Sequence, residues 1–195
     1  MYTVYAPNGD NLLGYFMLRR RLNLRIFLTN LGKYNEGELV GLWLTLPCTD
    51  DELQATLTKI GISACCEEYF ITDYECDIGL RVDEYGSLTT LNKAAERISS
   101  LTDHERQVLQ AVNELEAPDI SSIMDIIENL GDYTLHPDIQ NDYALGHYRI
   151  HEAEGYNLCS FGKLAEYLDY EAYGRDYNVN SRGGFTSKGW LERHT

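Results

Sequence analysis

The chain has 195 residues, 44% of them hydrophobic, with 15 Tyr and 5 Phe, so it can build real cores and is not a disordered polyanion despite a net charge of −15. Sixteen Lys and Arg against 31 Asp and Glu exclude a broad duplex-binding face, because the cations cannot neutralise a run of phosphates. Five Cys, an odd number with Cys65 and Cys66 adjacent, exclude a disulfide framework, and with no CxxC or Cys/His zinc spacing they point to a reducing cytoplasm.

The charge is unevenly placed. Between Ile26 and Asn180 there are 29 acids against 9 bases, an excess of 20, while Arg19, Arg20, Arg21 and Arg25 make the start basic and Arg182, Lys188 and Arg193 do the same at the end. The apolar run Leu12 to Leu18 is too short to span a membrane, and its arginines follow it, the wrong order for a secretory leader. Residues 1–23 are expected to be an extension of unassigned role.

Leu24 to Thr29 predicts a strand, Asn30 to Gly37 a turn-rich connection, and Leu39 to Leu46 a second strand ended by Pro47. Thr49-Asp50-Asp51-Glu52 is a capping box, and Leu53, Leu57 and Ile60 recur at helical spacing until Gly61. Glu67 to Tyr74 predicts a strand, which completes a β-β-α-β unit over 24–80. Ser87 caps a helix carrying Leu88, Leu91, Ala95 and Ile98; Thr102-Asp103-His104-Glu105 is a second capping box, before Val108, Leu109, Val112 and Leu115; and Pro118-Asp119 opens a third helix closed by Gly131. These helices predict a small all-α unit over 81–131. A mixed α/β unit over 132–195 follows: a strand at Tyr133 to Leu135, a helix from Asn141 to Glu154, a helix from Ser160 to Tyr173, and one terminal strand from Phe185 to Leu191. The fold class expected is α+β, as an elongated chain of three small domains.

Catalytic and metal motifs are weak. Asp73-x-Glu75-x-Asp77, with Glu84 at the twelfth position, has calcium-loop spacing, but Ile78 stands where the sharp turn needs Gly, so a solvated acidic turn is the better reading. His147 and His151 sit at i, i+4, yet Tyr148 replaces the Glu of a zinc-protease helix. No GxSxG, P-loop or GxGxxG is present, and the acids beside Cys65-Cys66 should suppress thiol reactivity. Carboxylate pairs are too numerous to diagnose a hydrolase, so no enzyme, no cofactor and no metal is expected.

What stands out is the acids themselves. Asp50, Asp51 and Glu52 are welcomed by a helix dipole, but Glu67, Glu68, Asp73, Glu75, Asp77, Asp83 and Glu84 oppose only Arg81, and Asp119, Asp125, Glu128, Asp132, Asp138 and Asp142 meet no base before Arg149. B-DNA carries one charge per roughly 1.7 Å of axis, so an excess of 20 matches about 34 Å, on the order of one helical turn. Carboxylates at phosphate-like spacing can occupy a basic DNA groove and exclude its substrate.

Three segments carry a family resemblance: Asn30-Leu31-Gly32-Lys33-Tyr34-Asn35-Glu36-Gly37-Glu38-Leu39-Val40-Gly41; Val82-Asp83-Glu84-Tyr85 leading to Leu91-Asn92; and Leu164-Ala165-Glu166-Tyr167-Leu168-Asp169-Tyr170-Glu171-Ala172-Tyr173-Gly174-Arg175-Asp176. From about Leu24 to the C-terminus, in this order, the chain resembles the ArdA antirestriction proteins of conjugative plasmids, transposons and phages. The resemblance implies a cytoplasmic homodimer of three-domain subunits that mimics bent B-DNA and competes for the DNA channel of type I restriction-modification enzymes, binding no nucleic acid and no membrane. It implies a phosphate-mimicking surface to which Asp103, Glu105, Glu114 and Glu116 are added beside the acids named above. It also implies that Leu164 to Asp176 is the antirestriction motif, at or near the dimer contact, where Tyr167, Tyr170 and Tyr173, spaced by three, form a stripe suited to packing on a partner helix. The alternatives are an inhibitor of another DNA-handling defence complex, and a metal-dependent or carboxylate-based hydrolase.

Overall fold

The computed structural model describes residues 22–63 and 68–194. The arginines at 19–21, together with Cys65, Cys66 and Glu67, lie outside them. The described residues are mixed α and β, with two small antiparallel sheets.

In the first sheet β1 (Leu24–Asn30) runs between β2 (Gly41–Leu46) and β3 (Tyr69–Cys76). Strand alternation puts Leu24, Ile26 and Leu28 of β1 and Leu44 and Leu46 of β2 on the buried face. The expected turn after β1 holds a short helix, α1 (Leu31–Asn35), because buried Asn30 caps it: its Oδ1 accepts from Lys33 N at 3.0 Å, and its Nδ2 donates to Ile60 O at 3.0 Å. Ile60 ends α2 (Asp50–Lys59), whose capping box forms as the spacing predicts. A small, fully polar side chain thus ties two helix ends to the central strand.

Buried Leu88, Leu91, Ala95 and Ile98 give α3 (Leu88–Ser100) its apolar face; α4 (Asp103–Glu116) buries Val108, Leu109 and Val112, and α5 (Ile120–Glu128) buries Ile120, Ile123 and Ile127. These faces do not enclose a core of their own. They join the buried face of the first sheet in one cluster that continues to Tyr133, Leu135 and Leu191 of the second. Polar ties reinforce it: Asn92 on α3 both accepts from Cys48 N at 2.8 Å and donates to Cys48 O at 2.9 Å, and Asn113 on α4 donates to Ile78 O at 3.0 Å.

The last third departs from expectation. The second sheet has the order β4 (Tyr133–His136), β6 (Gly189–Arg193), β5 (Gly183–Thr186), so the single terminal strand expected is a hairpin turning at Ser187-Lys188. Gly183 belongs to a strand because the Leu191 carbonyl and the Trp190 ring lie where a side chain would stand. The helix expected over 141–154 is α6 (Asp142–Tyr148), which widens into a π turn over 149–153 before Gly155. The helix expected from Ser160 to Tyr173 does not form. Residues 158–167 make 3₁₀ turns broken at Gly162, with φ 55°, Leu168 is extended, and α7 (Tyr170–Asn180) starts afresh. The physical reason is at Asp169, whose carboxylate accepts from Ala172 N at 2.9 Å and so caps a new helix instead of continuing an old one.

Candidate functional site

The acids of the first sheet sit where β-strand geometry exposes them. Asp73 and Glu75 lie on β3 across from Phe27 and Arg25, on the face turned away from the core, and Asp77 follows in the next turn. The segment carrying Asp83 and Glu84 runs beside the other edge of β3, held by Ile71 N donating to Glu84 O at 2.7 Å. Five carboxylates from one short stretch of chain, 73–84, are therefore gathered around one strand. Asp50, Asp51 and Glu52 are exposed in the first turn of α2, and Glu68 is exposed just before β3. Glu67 lies outside the described residues.

Along α4 and α5, Asp103, Glu114, Glu116, Asp119, Asp125 and Glu128 are exposed and Glu105 is half-buried. Asp138 is exposed after β4, while Asp132 and Asp142 are half-buried. Several of these acids have local tasks. Glu105 closes the α4 capping box, Asp119 caps α5, and Glu114 accepts from Ser187 N at 2.7 Å and from the Ser187 hydroxyl, which ties α4 to the second hairpin.

Among the described residues only two of the expected surface acids meet a cation: Glu75 with Arg25 at 3.1 Å and Glu116 with Arg193 at 3.7 Å. Both pairs are partly exposed and contribute little to stability. Arg149, the first base after a long acidic stretch, faces inward to Glu154 at 3.2 Å and Glu192 at 3.6 Å and covers the Tyr177 ring at 4.1 Å. Glu154 and Glu192 thus share one neutralising cation. Sequence spacing does not reveal the second of these pairs, because Arg149 of the π turn reaches Glu192 on β6.

Proton equilibria favour an anionic surface. Backbone and side-chain hydrogen bonds from Thr49 hold Glu52 below the usual carboxylate range, as those from Thr102 hold Glu105, those from Ser187 hold Glu114 and those from Ser122 hold Asp119. Burial lowers His136, outweighing Glu192 at 3.9 Å, so that contact is not an ion pair at neutral pH. Burial, then its hydrogen bond to Glu192, pushes the Tyr177 phenol up to about 12.

The sign of the pH dependence follows. A depressed carboxylate contributes fully above its unfolded pKa and loses that contribution as pH falls through the folded value; a buried neutral His is penalised once the unfolded chain begins to protonate, below about 6.5. Stability should therefore decline in two steps on acidification. A shallow step begins near pH 6.5 and is absent in His136→Gln, and a steeper one begins below about pH 4.5, both read as urea midpoints against pH.

The motif segment divides in two. From Asp169 on it builds structure: Gly174 of α7 lies against Gly146 of α6, so close that a Cβ on Gly174 would stand 1.8 Å from Asp142 O and one on Gly146 1.9 Å from Tyr170 O. Tyr170 hydrogen-bonds His151 at 2.8 Å, and Tyr173 donates to Glu154 at 3.0 Å. The expected stripe of three tyrosines is thus split. Tyr170 and Tyr173 reach back to the π turn, whereas Tyr167, before the helix, is 83% exposed, because the chain is extended at Leu168. Leu164 at 71%, Leu168 and the neighbouring Phe161 are exposed with it, an uncovered apolar patch. Glu166, Glu171, Arg175 and Asp176 are exposed as well.

Other chemistry has little to stand on. Burial raises the thiols of Cys48 and Cys76, leaving them poor nucleophiles. Among the described residues no group of three or more His, Cys, Asp or Glu side chains could hold a metal ion, and no helix is long and apolar enough to cross a membrane. A cleft of about 560 Å³ beside β4 and α6 is lined by His136, Ile139, Tyr143 and His147.

The family model described as antirestriction protein (ArdA) matches residues 26–192. No curated protein matches the chain.

Proposed function

The chain belongs to the ArdA antirestriction protein family, which carries an antirestriction function, and on that premise we propose that it acts as a decoy for duplex DNA on type I restriction-modification enzymes. Its carboxylates occupy the basic channel formed by the specificity and methyltransferase subunits and keep DNA out. The protein performs no chemistry of its own in this reading; it is an inhibitor working by occupancy in the host cytoplasm.

The observation that supports this most is the state of the acids around β3. Asp73, Asp77, Asp83 and Glu84 are exposed and meet no cation among the described residues. Groups held this way repel one another, and a cationic surface relieves that repulsion. The other acids that the resemblance assigns to this surface extend it in this proposal, in units over 24–80, 81–131 and 132–195. A direct test is cleavage of unmodified plasmid by a purified type I enzyme. Stoichiometric protein should stop it, and cleavage that proceeds unchanged would refute the reading.

The exposed Leu164, Tyr167 and Leu168 are the homodimer contact in this proposal, with Asp169 to Asp176 holding them in place. Pairing two subunits there doubles the length of duplex imitated. Tyr167→Arg with Leu164→Glu should convert the dimer to a folded monomer by light scattering, because each change puts a charge where an apolar contact is lost.

A further inference from the structure

The sheet face turned away from Leu24, Ile26 and Leu28 is aromatic as well as acidic. Across the ladder Trp43, Phe27 and Asp73 stand side by side, and the next rung holds Thr45, Arg25 and Glu75. The Phe27 and Trp43 rings meet edge-on at 5.3 Å. Further along, Phe70, paired with Thr29, contacts Tyr34 at 5.1 Å and stacks on Tyr85 at 6.1 Å. Trp43 is 36% exposed, Tyr34 52% and Tyr85 70%. Leaving rings of this size in water costs about 25 cal/mol per Å² of apolar surface, and a face that only imitates phosphates has no use for them.

Arg25 shows what this face accepts. Its guanidinium centre lies 4.8 Å over the Trp43 ring while Nη1 donates to Glu75 at 3.1 Å, so one cation is held by a ring and a carboxylate at once. Asp73 stands beside Phe27, one strand beyond Trp43, with no cation among the described residues, and Tyr85 follows Asp83 and Glu84 directly.

We propose that this face is a docking surface for an arginine-rich protein, with Trp43 and Tyr85 as its anchors: guanidinium groups of the target stack on the rings while the neighbouring carboxylates neutralise them. The proposal rests on the decoy reading and deepens it, since it assigns part of the affinity to contacts that DNA phosphates cannot make. Charge decides the occupant. A second copy of this chain would bring Asp73 and Glu75 against their own kind, whereas a basic channel is complementary to both acids and rings.

The test uses the full-length protein and a purified type I methyltransferase core, with affinity measured across a salt series. Trp43→Ala and Tyr85→Ala should each weaken binding about tenfold or more, by the same factor at every salt concentration, while Trp43→Phe and Tyr85→Phe retain most of it. Trp190 is fully buried, so acrylamide quenching reports Trp43, which should be accessible in the free protein and protected in the complex. Folded alanine variants that bind like the parent, a loss that disappears as salt rises, or a Trp43 already protected in the free protein by a second copy or by residues 1–21 would each overturn the docking surface and leave the decoy reading standing. A parent protein that binds no type I enzyme removes both.

Discussion

Replacing Asp73, Glu75, Asp77, Asp83 and Glu84 together by their amides is expected to weaken binding to a type I enzyme about a hundredfold at moderate salt. Exposed ion pairs are each worth roughly 0.2–1 kcal/mol, so five of them acting on one basic channel sum to about 3 kcal/mol, while a single change falls near the noise of a binding assay. The loss should shrink as salt rises, because screening already removes part of what the substitution removes. Glu75 is paired with Arg25, and its amide leaves that cation free to oppose the target, so the five changes together should cost more than the other four alone. Stability should hold or rise, since like charges around one strand are removed and no core contact is touched. A cluster variant that binds with unchanged affinity would show that the charge near β3 is incidental.

The second large effect is structural and lies inside the motif. Gly174→Ala is expected to destabilise the protein by about 3 kcal/mol or more, because the added methyl would collide with the backbone carbonyl of Asp142, which cannot swing aside as a side chain can. Gly146→Ala should do the same against Tyr170 O. Helices α6 and α7 must then separate, which breaks Tyr170–His151 and Tyr173–Glu154 and releases the apolar patch at Leu164, Tyr167 and Leu168 from its anchor. Dimer formation should fall with stability. Gly131→Ala is the control: a Cβ there meets nothing within 4 Å, so its urea midpoint should match the parent. Equal midpoints for Gly174→Ala and Gly131→Ala would contradict the close crossing.

These two cases mark what the order of residues reveals and what it hides. Capping boxes at Thr49 and Thr102 and the apolar periods of α2 to α5 were legible because caps and helical spacing are local, settled within four residues. The strands at 24–30 and 133–136 were legible for the same reason. From Ser160 on, the apolar spacing suggested one helix. The positive φ at Gly162 and the Asp169 cap replace it by turns and a fresh start, a contest between two local signals that spacing alone does not decide. The terminal hairpin is hidden because glycines have low strand propensity, whereas the bare Gly183 lies against Leu191 and Trp190 and Gly184 against Leu115, which places both in β5.

Legibility of the site follows the same division. Exposure of most of the acids was readable from their type, for charged side chains are rarely buried alone. Which of them are neutralised was not, because Arg25 meets Glu75 across fifty residues and Arg149 of the π turn meets Glu192 on β6. The aromatic face around Trp43 and Phe27 was also invisible in the sequence, where those residues read as ordinary strand interior. Only the register of three strands brings them beside Asp73 and Glu75.

A decoy must contend with duplex DNA for the same cationic channel. Competition for a purified type I methyltransferase core, followed by displacement of labelled duplex across a salt series with dimer mass recorded alongside, tests it most directly. The account predicts complete, mutually exclusive displacement, with an affinity for the protein that falls steeply as salt rises. A ternary complex of enzyme, duplex and this protein, or binding indifferent to salt, would contradict it.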